Sequence, residues 1–128
     1  MASTPNLPST PRLAYGALSA ANTNRDGTGT IVDVLTGVAA GTRIDRVVIE
    51  ATGTTTAGVV RLFLYDGSGY RLFYEQLVSA VTPSTSVSAA RYEVGFTDLV
   101  LPSSSWKLAA STHNAETFAV FAHGADYT

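Results

Sequence analysis

Thr42–Val78, TRIDRVVIEATGTTTAGVVRLFLYDGSGYRLFYEQLV, sets three apolar runs rich in β-branched and aromatic residues around two breaks of small, turn-forming residues. The second break, Asp66-Gly67-Ser68-Gly69, separates Val59–Tyr65 from Tyr70–Gln76, both of strand length. Glycine and aspartate tolerate the positive φ of a tight hairpin, so these two runs are expected to fold back on each other. The first break, Thr52-Gly53-Thr54-Thr55-Thr56, is a polar link of loop length after Ile44–Ala51. The spacing therefore predicts a three-stranded antiparallel meander. In its middle strand Val60, Leu62 and Leu64 share one face, while Val59, Arg61, Phe63 and Tyr65 share the other. Bulk on both faces predicts a central strand, with one side in the core and the other covered by a second surface.

A meander has open edges and a face to bury, so other strands must close over it. Arg12–Ala20, Ile31–Leu35, Arg91–Phe96, Trp106–Ser111 and Glu116–Ala122 supply them by alternation. In the first, Leu13, Tyr15, Ala17 and Ser19 share a side. Ser79–Ala90, polar and broken by Pro83, reads as a long crossing loop. Residues 1–11 hold three prolines among small polar residues and read as an extended N-terminal arm, free or laid on a neighbouring subunit. Residues 12–128 then form one domain. Eight strands with regular turn signals, long cross-connections and no amphipathic helix predict an all-β fold: an antiparallel β-sandwich of jelly-roll type.

The 128 residues suffice for one core, and the 45% hydrophobic content is ordinary. Charged residues make up only 14%, with many hydroxyls in their place, which suits a surface that meets other protein surfaces. A net charge of −2 argues against nucleic-acid binding. Seven basic residues are arginine and one is Lys107, a bias toward bidentate pairing at interfaces. The absence of cysteine removes disulfides, thiol nucleophiles and thiolate metal sites. The N-terminus lacks the pattern of a secretory signal, and no apolar run is long enough to span a bilayer, so a soluble, cytoplasmically made protein without membrane partners is expected.

Candidate chemistry is weak. Asn22-Thr23-Asn24-Arg25-Asp26-Gly27 with Asp33 at the twelfth place has the spacing of a calcium loop. The neutral first ligand, the short twelfth and the flanking strands favour an ordinary loop instead. His113 and His123 flank the two ends of the last expected strand, too far apart for one zinc site unless the chain bends, and no third ligand stands out. Glu75 and Glu93 could form a carboxylate pair, although strand-borne carboxylates more often pair with arginine, here Arg71 and Arg91. Trp106 with Tyr15, Tyr70, Tyr74 and Tyr92 could make a sugar-stacking platform, against packing in the core or between subunits. No G-x-S-x-G elbow is present, and Gly53, Gly58, Gly67 and Gly69 form no phosphate loop. No catalytic, metal-binding or cofactor-binding residue is assigned, and no enzyme activity is expected.

The runs TRIDRVVIEATGTTTAGVVRLFLYDG and WKLAASTHNAETFAVFAHGADY resemble small all-β virion proteins of tailed bacteriophages, over most of Arg12–Tyr127. The resemblance implies a jelly-roll or similar sandwich that often assembles as a trimer. It also implies a place in the virion, as a cement on the capsid, in a head spike or fibre, or in the tail. The expectation is a homotrimeric decoration protein that binds the major capsid protein and stabilises the head. The alternative is a tail or head-fibre module binding a glycan receptor.

Overall fold

The hairpin at Asp66 forms as its residues require. The Asp66 carboxylate accepts the N–H groups of Ser68 and Gly69, each at 3.0 Å, and the Ser68 hydroxyl at 2.9 Å. Gly67 takes the left-handed φ of 96° that this turn needs. In the computed structural model, residues 7–128 are described. They form β1 (Thr10–Leu18), β2 (Val32–Thr36), β3 (Thr42–Ala51), β4 (Gly58–Tyr65), β5 (Tyr70–Val78), β6 (Arg91–Leu101), β7 (Lys107–Thr112) and β8 (Phe118–Asp126), with no helix among them. The hairpin joins β4 to β5, and Phe73 is an extra residue on β5, since Leu62 faces Tyr74 while Phe63 faces Leu72.

The strands form two four-stranded antiparallel sheets, sheet A in the order β1-β8-β3-β6 and sheet B in the order β2-β7-β4-β5. The expected meander is therefore not formed. β3 leaves the hairpin and enters sheet A, where β8 and β6 take both of its hydrogen-bonding edges. The polar link after it is what carries the crossing. Thr52 donates its amide to the Thr117 carbonyl at 3.0 Å, and Thr55 exchanges backbone bonds with Val81 at 2.9 and 3.1 Å. Those bonds hold the link across the end of the sandwich, so it cannot fold back as a turn.

Six of the seven connections between consecutive strands pass from one sheet to the other, and only β4–β5 stays within its sheet. The ladders are nested: β4 with β5, β3 with β6, β2 with β7 and β1 with β8. The inner faces meet in one core. Ile44, Val47, Ile49, Leu101 and Val120 from sheet A pack against Leu35, Val60, Leu62 and Leu108 from sheet B, all buried. Each such aliphatic side chain contributes about 1.5–3 kcal/mol by leaving water. β4 is central in its sheet, between β7 and β5, and Val60 and Leu62 lie in the core as its alternation predicts.

Several boundaries shift from the sequence reading, among them that of β8, which runs to Asp126 instead of ending at Ala122. β1 begins at Thr10, and Pro11 pairs with Ala125 within it. Proline is tolerated there because β1 is an edge strand and its missing donor faces no neighbour. Most of the expected arm, residues 1–6, lies outside the described residues. β6 runs on to Leu101, past its expected end at Phe96 and through Asp98, a residue with positive φ.

Candidate functional site

Among the described residues, the one charged side chain that is deeply buried is Arg61, on β4, with 1% of its side chain exposed. It points away from the core onto the outer face of sheet B, in a cross-strand row with Ser111 of β7 and Glu75 of β5. Its Nε donates to Glu75 Oε2 at 3.0 Å, and Nη1 donates to the Asn22 carbonyl at 3.1 Å. Nη2 lies 3.1 Å from His113 Nδ1. A guanidinium can only donate, so Nδ1 accepts and the imidazole proton sits on Nε2. Arg25 adds a second bond to Glu75 Oε2 at 2.8 Å. Arg25 and then Arg61 hold the Glu75 carboxyl below its ordinary range.

This cluster fixes the loop of residues 19–31 against sheet B. Asn22 donates its amide to the Thr112 carbonyl at 2.8 Å, and Ala21 bridges to Thr112. Within the loop the expected calcium-ligand atoms have other partners. The Asn22 side chain donates to the carbonyls of Thr28 and Thr30 and accepts from the Asn24 amide. Asp26 accepts the Thr28 amide and hydroxyl, which lowers its pKa. Asp33 sits on β2 and accepts from the Tyr70 hydroxyl at 2.8 Å and from Lys107 at 3.3 Å. The motif builds a self-bonded loop, as its Asx residues allow.

The remaining candidates are not brought together. His113 follows β7 and belongs to sheet B through its bond to Val59, whereas His123 lies on β8 in sheet A. Glu75 and Glu93 are likewise in opposite sheets. Glu93 accepts from Arg46 at 2.7 Å and lies 3.6 Å from Arg91, and Arg46 is the main cause of its lowered pKa. Arg71 pairs with Asp66 at 3.8 Å instead of Glu75, a correction to the partner expected from the sequence. The aromatics are scattered. Trp106 packs on the core, as does Tyr74, which also meets Phe96 edge-on. Tyr92 accepts the Ser79 amide at 2.8 Å. Tyr70 packs against Tyr65 with ring centroids 4.8 Å apart and the rings tilted by 48°, with Lys107 5.4 Å over the Tyr65 ring. Burial and the bond to Asp33 push the Tyr70 hydroxyl up to about 12.

What the sequence reading passed over is the outer face of sheet A. The registers align Leu13 with His123 and Arg46, Tyr15 with Phe121 and Val48, and Ala17 with Ala119 and Glu50. The columns on β1 and β8 are thus nearly all apolar, and Leu13 and Tyr15 are 64% and 69% exposed. The columns on β3 and β6 carry ion pairs instead, among them Arg43–Asp45 at 2.9 Å and Arg46–Glu93 at 2.7 Å. The alternation of Leu13, Tyr15 and Ala17 in the sequence was the available signal for this stripe. Comparison with known proteins finds no matching family model and no matching curated protein.

Proposed function

We propose that this chain is a structural protein of a bacteriophage virion. It decorates the outer capsid surface as a homotrimer, binds the major capsid protein and stabilises the head. The observation that carries the reading is the outer face of sheet A, where apolar side chains stand in register at the free edge of a sheet. Apolar stripes of that kind mark surfaces that meet other proteins. The two-sheet antiparallel sandwich with nested ladders supplies further support, because it is compatible with the jelly-roll fold expected of such proteins. The resemblance of the two quoted runs to phage virion proteins points the same way.

The mechanism is linkage. A protein that binds several capsid subunits at once has its full site only on the assembled shell, so binding stabilises that state by mass action. Three copies of each contact in a trimer add avidity. The test mixes the purified chain with undecorated capsids, sediments them, and melts the decorated shells. Co-sedimentation at a fixed ratio with a raised capsid melting temperature is expected. Capsids that pellet bare at micromolar protein overturn the reading.

The alternative, a fibre module that binds glycans, is favoured by the Tyr65–Tyr70 pair. It presents aromatic ring surface beside Asp33 and Lys107, groups that could bond sugar hydroxyls. A glycan array probed with wild type and Tyr65→Ala tests it. Signal lost on substitution supports the fibre role, and a blank array removes it.

A further inference from the structure

The outer faces of the two sheets are treated differently by the chain. Sheet B has the loop of residues 19–31 tied over it, and Phe63 and Arg61 on that face are buried. Sheet A has Leu13 and Tyr15 standing out from its edge strand, with Phe121 packed 5.8 Å from the Tyr15 ring. We propose that the outer face of sheet A is where a second copy of this chain docks, with the β1 and β8 columns as the apolar part of the contact. The inference rests on the homotrimer in the reading above and names its subunit surface.

Charge and area select the occupant. Arg43, Arg46 and Arg91 on this face are ion-paired with Asp45, Glu50 and Glu93, so these three positive and three negative groups balance one another. A face balanced in this way meets a neighbouring copy of the chain without strong repulsion. It offers no net attraction to nucleic acid or to an anionic lipid surface. Four strands about 4.8 Å apart and about nine residues long project roughly 600 Å². With side-chain relief that approaches the ~800 Å² per partner of a stable protein–protein contact. The face is divided in two, an apolar half at Leu13, Tyr15 and Phe121 on the free edge and an ion-paired half on β3 and β6, so it offers both the apolar area and the polar groups that such contacts use.

The test is solution mass by light scattering across a dilution series, for wild type, Tyr15→Asp, Leu13→Ser and the control Leu77→Asp on β5. Leu77 is 74% exposed, so its substitution reads the effect of losing an exposed apolar group elsewhere. Expected are an oligomer for wild type and for Leu77→Asp, and a shift toward monomer for both β1 variants with circular dichroism unchanged. Hydrogen exchange on the unsubstituted chain reads the same surface without mutation, since amides of β1 and β8 gain protection as the oligomer forms. An oligomer that survives both β1 changes, with no concentration-dependent protection there, overturns this interface and leaves the homotrimer standing. A wild type that is monomeric at all concentrations overturns both. Capsid binding by that monomer would make the capsid the occupant of the face.

Discussion

Removing Glu75 reads the energetics of the Arg61 cluster most directly. Glu75 is itself 32% exposed, and an ordinary surface carboxylate of that kind contributes little. Its partner Arg61 is 1% exposed and pairs with no other carboxylate among the described residues, so Glu75→Ala leaves a buried guanidinium without its counter-charge. A hydrogen bond to a charged group contributes about 1.5–3 kcal/mol, and the uncompensated cation pushes the cost toward the top of that range. In an Arg61→Met background the same change removes only the exposed Arg25 contact, worth about 0.2–1 kcal/mol. The double-mutant cycle should thus give a coupling of about 2 kcal/mol. Urea unfolding of the four proteins measures it, and thermal melts should show Glu75→Ala lower by about 10 °C in the wild-type background. If Glu75→Ala costs the same in both backgrounds, the cluster is not a coupled buried pair and the argument fails.

Three further outcomes follow from the fold. Gly124→Ala should destabilise by about 3 kcal/mol in chemical unfolding, because its Cβ would collide with the Arg43 carbonyl where β8 passes the bulge in β3. Leu108→Ala in the core should cost about 2–5 kcal/mol, while Leu77→Ser at the surface should stay within about 0.5 kcal/mol, both read from denaturation midpoints. The N–H groups of Ser68 and Gly69, with the Ser68 hydroxyl, hold Asp66 down from 3.8 to about 2. A carboxyl depressed on folding stabilises fully above its unfolded pKa and loses that contribution as pH falls through the folded one. Asp66→Asn should therefore be less stable than wild type at neutral pH, and the gap should close between pH 3.8 and about 2 in a pH series of urea midpoints.

All eight strands were legible because each pairs an alternating or short apolar run with flanking turn residues. The Asp66–Gly69 hairpin was the clearest, since a local turn needs only local chemistry. The partner of β3 was not legible. Thr52–Thr56 reads the same whether it turns back or crosses to the other sheet, and the bonds to Thr117 and Val81 that decide it come from far along the chain. The same limit applies to the site. Bulk on both faces of β4 announced a covering surface, but the cover is the loop of residues 19–31, read from the sequence as a turn-rich connector. Glu75 looked like a solvent carboxylate paired with Arg71 because both lie on one strand, whereas its partners arrive from Arg61 and Arg25. The apolar columns of sheet A were half visible in Leu13, Tyr15 and Ala17; Phe121 joins them only through the β1–β8 register.

That register has a consequence in time. Each ladder in the nest encloses the one inside it, from four hairpin residues within β4–β5 out to Thr10 paired with Asp126. Loop-closure entropy grows outward, and long-range pairings of this kind make folding slow. The inner hairpin can form from neighbours alone, but β1, first of the strands to leave the ribosome, has its ladder partner in β8, the last. Throughout synthesis Leu13, Tyr15 and Gly16 wait with an unpaired backbone on both sides, so the stretch is a site for chaperone capture or mispairing between nascent chains.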